Sequence, residues 1–139
     1  MVDKDMVLNY LAELENSLKR IEEMDFTFDM ILGDEDIQDL LDRRMQKAIE
    51  AAIDVAAHIV AAENLGRPKS AADLFVFLQK ARIIDSKIAQ AMSQAVGFRN
   101  ILVHQYSEID YHLAYDDLKE KLIDLRVFAQ KAHAFIEKM

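Results

Sequence analysis

The chain has no cysteine and no tryptophan, and only 1 proline and 3 glycines in 139 residues. Without cysteine there is neither a disulfide framework nor a thiolate metal site. So little glycine and proline leaves scant material for tight hairpins, and no stretch alternates apolar and polar residues as a half-buried strand does. Basic residues are the minority among the charges: 17 Lys and Arg stand against 25 Asp and Glu, a formal net charge of -8. Such a body has no broad electrostatic grip on nucleic acid, so any nucleic acid it handles must be held by a local patch. No apolar run approaches bilayer-spanning length, and the first residues, Met-Val-Asp-Lys-Asp, lack the pattern of a secretory signal. A soluble cytoplasmic protein is the expectation.

What is present is helical material. Hydrophobic residues make up 52% and charged residues 30%, a globular balance dominated by Ala, Leu, Ile, Glu, Lys and Asp. The length suits one domain with one core, a single helical domain over 1–139. Val7, Leu11, Leu14, Leu18 and Ile21 recur at four-three spacing and predict a helix over about residues 3–24. Residues 25–33 break that period and read as an ordered connection. Acidic Asp34, Glu35 and Asp36 suit the start of a long second helix reaching about Asn64, with Ile37, Leu41, Met45, Ala48, Ala52, Ala56 and Ile59 inward. Ser70-x-x-Asp73 resembles a capping box for a short third helix through Leu74, Phe77 and Leu78. Asp85 or Ser86 caps a fourth. Ser107-x-x-Asp110 opens a last helix over about 110–138, carried by Leu118, Leu122, Leu125, Ala129, Ala132 and Ile136. The fold class is all-α: an up-and-down bundle of four main helices with a short extra helix.

The chemistry concentrates in Gly97-Phe-Arg-Asn-Ile-Leu-Val-His-Gln-Tyr106, which sets a guanidinium, an imidazole and a phenol within eight positions. Arginine holds a phosphate in a fixed fork and stays charged at any working pH. Histidine is the side chain that exchanges a proton near neutrality. Together they are the minimum for metal-free cleavage of an RNA phosphodiester. On a regular helix Arg99 and His104 point about 140° apart, whereas Asn100 and His104 share a face. Phe98, Ile101 and Leu102 fall on the opposite arc as core anchors. For Arg99 and His104 to reach one phosphate, the helix must end or tighten here, or a second subunit must complete the site. The bland alternative leaves Arg99 in water and His104 capping the helix C-terminus.

This string resembles the Arg-x(4-6)-His motif of the HEPN superfamily, in which a polar residue, here Asn100, often follows the arginine. With Tyr106 it matches the narrower Arg-x4-His-x-Tyr form of the HepT toxins. The resemblance extends to the segment Ala51 to Ile59 and to the order and lengths of the helices. It implies an HEPN-like fold and a homodimeric, metal-independent endoribonuclease toxin of a toxin-antitoxin pair, needing no cofactor. It further implies His104 as acid/base, Arg99 on the scissile phosphate, and Asn100 as a lesser catalytic residue orienting one or the other. The partner implied is a nucleotidyltransferase antitoxin of the MntA type, which silences the toxin by adding AMP groups to Tyr106. Phosphate-bearing bulk there would bring negative charge to the place where RNA must dock.

Along the second helix Arg43, Lys47, Glu50, Asp54 and His58 recur at spacings of four, three, four and four, within an arc of about 80°. A solvated ladder of ion pairs accounts for this as well as a site does. In the sharper alternative Asp54 and His58 support the Arg99/His104 cleft, while Arg43 and Lys47 guide RNA phosphates. No metal is expected, since Asp54 and His58 alone are too few ligands. Two other classes of function stay open: a non-catalytic nucleotide- or substrate-binding subunit that partners a nucleotidyltransferase, and a helical dimerisation module.

Overall fold

The computed structural model describes residues 3–104 and 108–139. Among these there are seven helices and no strand: α1 (Lys4–Glu22), α2 (Phe28–Gly33), α3 (Glu35–Ala62), α4 (Ala71–Lys80), α5 (Ser86–His104), α6 (Tyr111–Tyr115) and α7 (Leu118–Glu137). Short acidic side chains begin several of them by accepting from otherwise unpaired backbone N–H groups. Asp3 caps α1 through Met6, Asp34 caps α3 through Asp36 and Ile37, and Asp110 caps α6 through His112 and Leu113. Asp85 accepts from the Ile88 N–H at 2.9 Å as α5 starts. The expected capping box at α4 does not form: Ser70 makes no side-chain cap bond, and Asp73 accepts instead from the N–H of Lys69, the residue before the cap, at 2.8 Å. α3 stops where Asn64 turns left-handed (φ 55°) and the Leu65 N–H donates back to the Val60 carbonyl at 3.0 Å.

The four long helices close a ring in which α1 packs on α3, α3 on α5, α5 on α7 and α7 on α1. The pairs across α1 give its direction. Arg44 on α3 donates to the Arg20 carbonyl near the end of α1, while His58 near the end of α3 meets Tyr10 near its beginning. Likewise Arg126 pairs with Glu22, and Lys4 donates to the Met139 carbonyl. α1 therefore runs antiparallel to both α3 and α7. Its inward face is the one the spacing marks: Val7, Leu11, Leu14, Leu18 and Ile21 are all 1% exposed or less. Each such side chain contributes about 1.5–3 kcal/mol of burial. α3 also touches α4 and is the central helix of the bundle.

Two segments differ from expectation. Residues 25–33 are not a plain connection: Thr27 caps a short helix, α2, and buries Ile31 against the core. The last helix is not continuous either, because α6 ends at Tyr115 and α7 starts at Leu118. Asp116 and Asp117, both poor helix formers, occupy the break. Tyr111 and Tyr115 are meanwhile tied to Asp42 on α3, a long-range tie that apolar periodicity does not encode. The bundle thus carries three additional helices rather than one. Among the described residues no helix is long and apolar enough to cross a membrane.

Candidate active site on the fifth helix

α5 carries the motif, and its register is set by what it buries. Phe98 and Leu102 lie in the core at 7% and 6% exposure. The Phe98 ring meets Tyr115 edge to face, centroids 5.5 Å apart at 83°. Ile101, expected to join this anchor, is 40% exposed instead. The reason is angular: Gly97, Asn100, Ile101 and His104 follow at three, one and three, so they form one outward stripe. A protein surface showing an isoleucine, an amide and an imidazole in a row suits a contact better than open water.

Arg99 and His104 are placed differently. Arg99 is half-buried, and its Nε is shielded from solvent with no hydrogen-bond partner among the described residues. A buried donor left unmade on a permanently charged group costs about 1–3 kcal/mol or more, so such a group marks a place where an acceptor is due. His104 is exposed, with no hydrogen bond or ion pair among the described residues. α5 neither ends nor tightens before His104, so the two side chains leave the helix about 140° apart. Asn100 is exposed on the His104 face. Tyr106 lies outside the described residues.

The polar seam of α3 divides in two. Arg43 and Lys47 are exposed, free to meet an anion. Glu50 accepts from Gln46 at 2.9 Å. Asp54 and His58 engage α1: the His58 ring sits 5.0 Å from Tyr10, and Glu13 faces Asp54. The His58 Nδ1 lies 2.8 Å from the Asp54 backbone carbonyl. A carbonyl only accepts, so Nδ1 carries the proton there. Burial pushes the Asp54 carboxyl above its usual range; His58 opposes this, while Glu13 and Glu50 reinforce it. These contacts place Asp54 and His58 against α1.

One polar cluster was not legible in the sequence. Asp42 on α3 accepts from the hydroxyls of Tyr111 at 2.6 Å and Tyr115 at 2.5 Å, and the two rings stack 6.0 Å apart. Burial lifts the Asp42 carboxyl above its usual range, against the pull of both phenols, with nearby Asp39 adding to the rise. Burial and the carboxylate together push both phenols above theirs. The only sequence signal is the i,i+4 tyrosine pair; its acceptor is about 70 residues away. Through Tyr115 and Phe98 this cluster fixes the backbone that carries Arg99. Among the described residues no group of three or more His, Asp or Glu side chains is arranged to hold a metal ion.

Comparison with known proteins gives the family of this fold. The chain is 30% identical over 124 residues to the mRNA nuclease HepT of Shewanella oneidensis, covering 89% of this chain and 93% of that one. It is 24% identical over 129 residues to the tRNA nuclease HepT of Aphanizomenon flos-aquae, covering 93% and 86%. Its fold superposes on the tri-AMPylated Shewanella oneidensis HEPN toxin in complex with MNT antitoxin with a TM-score of 0.86 at 29% identity, covering 96% and 99% of the two chains. The profile of the family described as ribonuclease HepT-like matches residues 14–132, which include Arg99, Asn100, His104 and Tyr106, and the chain belongs to that family.

Proposed function

We propose that this protein is a metal-independent endoribonuclease toxin whose site is completed between two subunits of a homodimer. The observation that carries this reading is the solvent-shielded, unpaired Nε of Arg99, five residues before an exposed and unengaged imidazole. The guanidinium binds a backbone phosphate and the charge that develops on its oxygens. His104, from the other subunit, takes the proton from the ribose 2′-hydroxyl. The 2′-oxygen then bonds to phosphorus and the bond to the 5′-oxygen breaks. That oxygen leaves with a proton from an imidazolium, giving a 2′,3′-cyclic phosphate and a 5′-hydroxyl. Asn100, on the His104 face, orients the imidazole or the phosphate. Arg43 and Lys47 supply exposed positive charge for flanking phosphates on a chain that otherwise repels RNA. Asp54 and His58 act on the bundle through α1 and only indirectly on cleavage.

By the same reading the partner is an MntA-like nucleotidyltransferase antitoxin that places AMP on Tyr106, two residues beyond His104, where bulk and negative charge block RNA docking. Relatives named for mRNA and for tRNA cleavage support RNA as the substrate class without choosing among RNAs. The test is cleavage of RNA by the purified protein in excess EDTA. Cleavage is expected, with cyclic-phosphate ends, and is expected to vanish in Arg99→Ala and His104→Ala while helicity is retained. Nucleotide binding without any cleavage would instead identify a non-catalytic subunit of a nucleotidyltransferase.

A further inference from the structure

A groove of about 590 Å³ lies between α5, α6 and α7, beside the outward stripe of the motif helix. Its apolar lining includes Ala95, Phe98, Ile101 and Leu113, and Leu113 is 68% exposed. A leucine held that far into water, next to an isoleucine at 40%, is an unfilled contact surface rather than scattered apolar exposure. The rim is acidic. Glu108, Asp110, Asp117, Glu120 and Asp124 line it against one cation, Lys121, which is already paired with Asp117 and lies 5.2 Å over the Phe98 ring. Asp110 is partly engaged as the α6 cap, but Glu108, Glu120 and Asp124 have no ion pair among the described residues.

The rim charges have a pitch. Asp117, Glu120 and Asp124 recur at three and four, one carboxylate per turn over about 10 Å along the start of α7. Glu120 and Asp124, four apart on one helix face, repel one another, and a cation between them turns that repulsion into attraction. A ladder at helical pitch matches cations repeated at the same pitch, as on a second helix laid alongside. RNA is turned away by these charges.

We infer that this groove seats a cationic amphipathic helix of a partner protein, its apolar side chains between Ile101 and Leu113 and its Lys or Arg residues along the α7 carboxylates. The occupant is recognised as helix-in-groove partners are, by anchors at helical spacing with flanking charge. The inference goes beyond the nuclease reading and does not depend on it, since its test requires no cleavage.

The chain has no tryptophan, so a synthetic lysine-leucine amphipathic peptide with one Trp on its apolar face reports binding by its own fluorescence. The full protein is titrated with this peptide and with its glutamate-leucine counterpart. The lysine peptide is expected to bind, shift the amide resonances of Ile101, Leu113 and Asp124, and weaken with salt; the glutamate peptide is expected not to bind. Leu113→Asp and the double variant Glu120→Lys/Asp124→Lys are each expected to weaken binding about tenfold or more. The double variant alters only exposed or half-exposed positions, so it keeps the test valid if Leu113→Asp misfolds. Undiminished binding to the folded double variant, or shifts confined elsewhere, overturns the proposal. So does a loss of dimer mass in sedimentation caused by Leu113→Asp, because a second copy would then be the occupant.

Discussion

Asp42 offers the sharpest energetic test of how the motif helix is held. Its carboxylate accepts from two phenols, one of them on Tyr115, which is 1% exposed and packs its ring on Phe98. A hydrogen bond to a charged acceptor contributes about 1.5–3 kcal/mol. The two here share one acceptor that water can partly reach, so they are not additive. Tyr111→Phe/Tyr115→Phe is therefore expected to lose about 2–4 kcal/mol near pH 8. Asp42→Asn keeps one acceptor and gains a donor that either phenol oxygen can accept, so it should stay within about 1 kcal/mol of the parent. The pH dependence follows from the direction of the Asp42 shift. A carboxyl raised in the fold binds more protons there than when unfolded. Its contribution is fully present below the usual 3.8 and is lost as pH rises through the folded value. Without its donors the folded value rises further, so the deficit of the double Phe variant should shrink from pH 8 to pH 5. Urea unfolding followed by circular dichroism at both pH values measures this. An equal deficit at both, or one below about 0.5 kcal/mol, would refute the assignment of the cluster as a charged clamp.

Asp54, also raised by burial, obeys the same rule: Asp54→Asn should gain stability relative to the parent as pH rises from 4 to 7. Unfolding midpoints across that range check it, and RNA cleavage should survive the change. Gly66→Ala should destabilise by about 1–3 kcal/mol, because φ is +154° there and a Cβ would sit 2.8 Å from the Phe77 ring; calorimetry reads the loss. Phe128→Ala, which removes a fully buried ring packed on Phe75, should cost about 3–5 kcal/mol in denaturant unfolding.

Local signals in the sequence were read well and long-range ones were not. The α1 face and the inward positions of α3 from Leu41 to Ile59 are buried as their spacing indicates. Asp34 and Asp85 cap where a short side chain can reach the next turn, and Asp110 caps α6, while Ser107 of the expected Ser107-x-x-Asp110 start lies outside the described residues. Phe128 and Phe75 fill the core although neither was singled out, since a period marks a face and not every residue on it. The break between α6 and α7 falls at Asp116 and Asp117, while the tie of Tyr111 and Tyr115 to Asp42 beside it spans 69 and 73 residues, which no local pattern encodes. At the candidate site, spacing correctly anticipated the problem of Arg99 and His104 on one helix. It could not foresee that α5 would stay regular through His104, nor that Arg99 would be half-buried with Nε unpaired. A helical arc does not say which neighbours it meets, and one neighbour of Asp54 and His58 is α1.

The decisive measurement is a complementation of two dead proteins. Arg99→Ala and His104→Ala subunits, differently tagged, are co-expressed and the mixed dimer is assayed on RNA in EDTA. If the guanidinium of one subunit works with the imidazole of the other, the mixed dimer keeps one intact site of two and should recover about half the parent rate. A mixed dimer as inactive as either homodimer would contradict a site shared in that way between subunits.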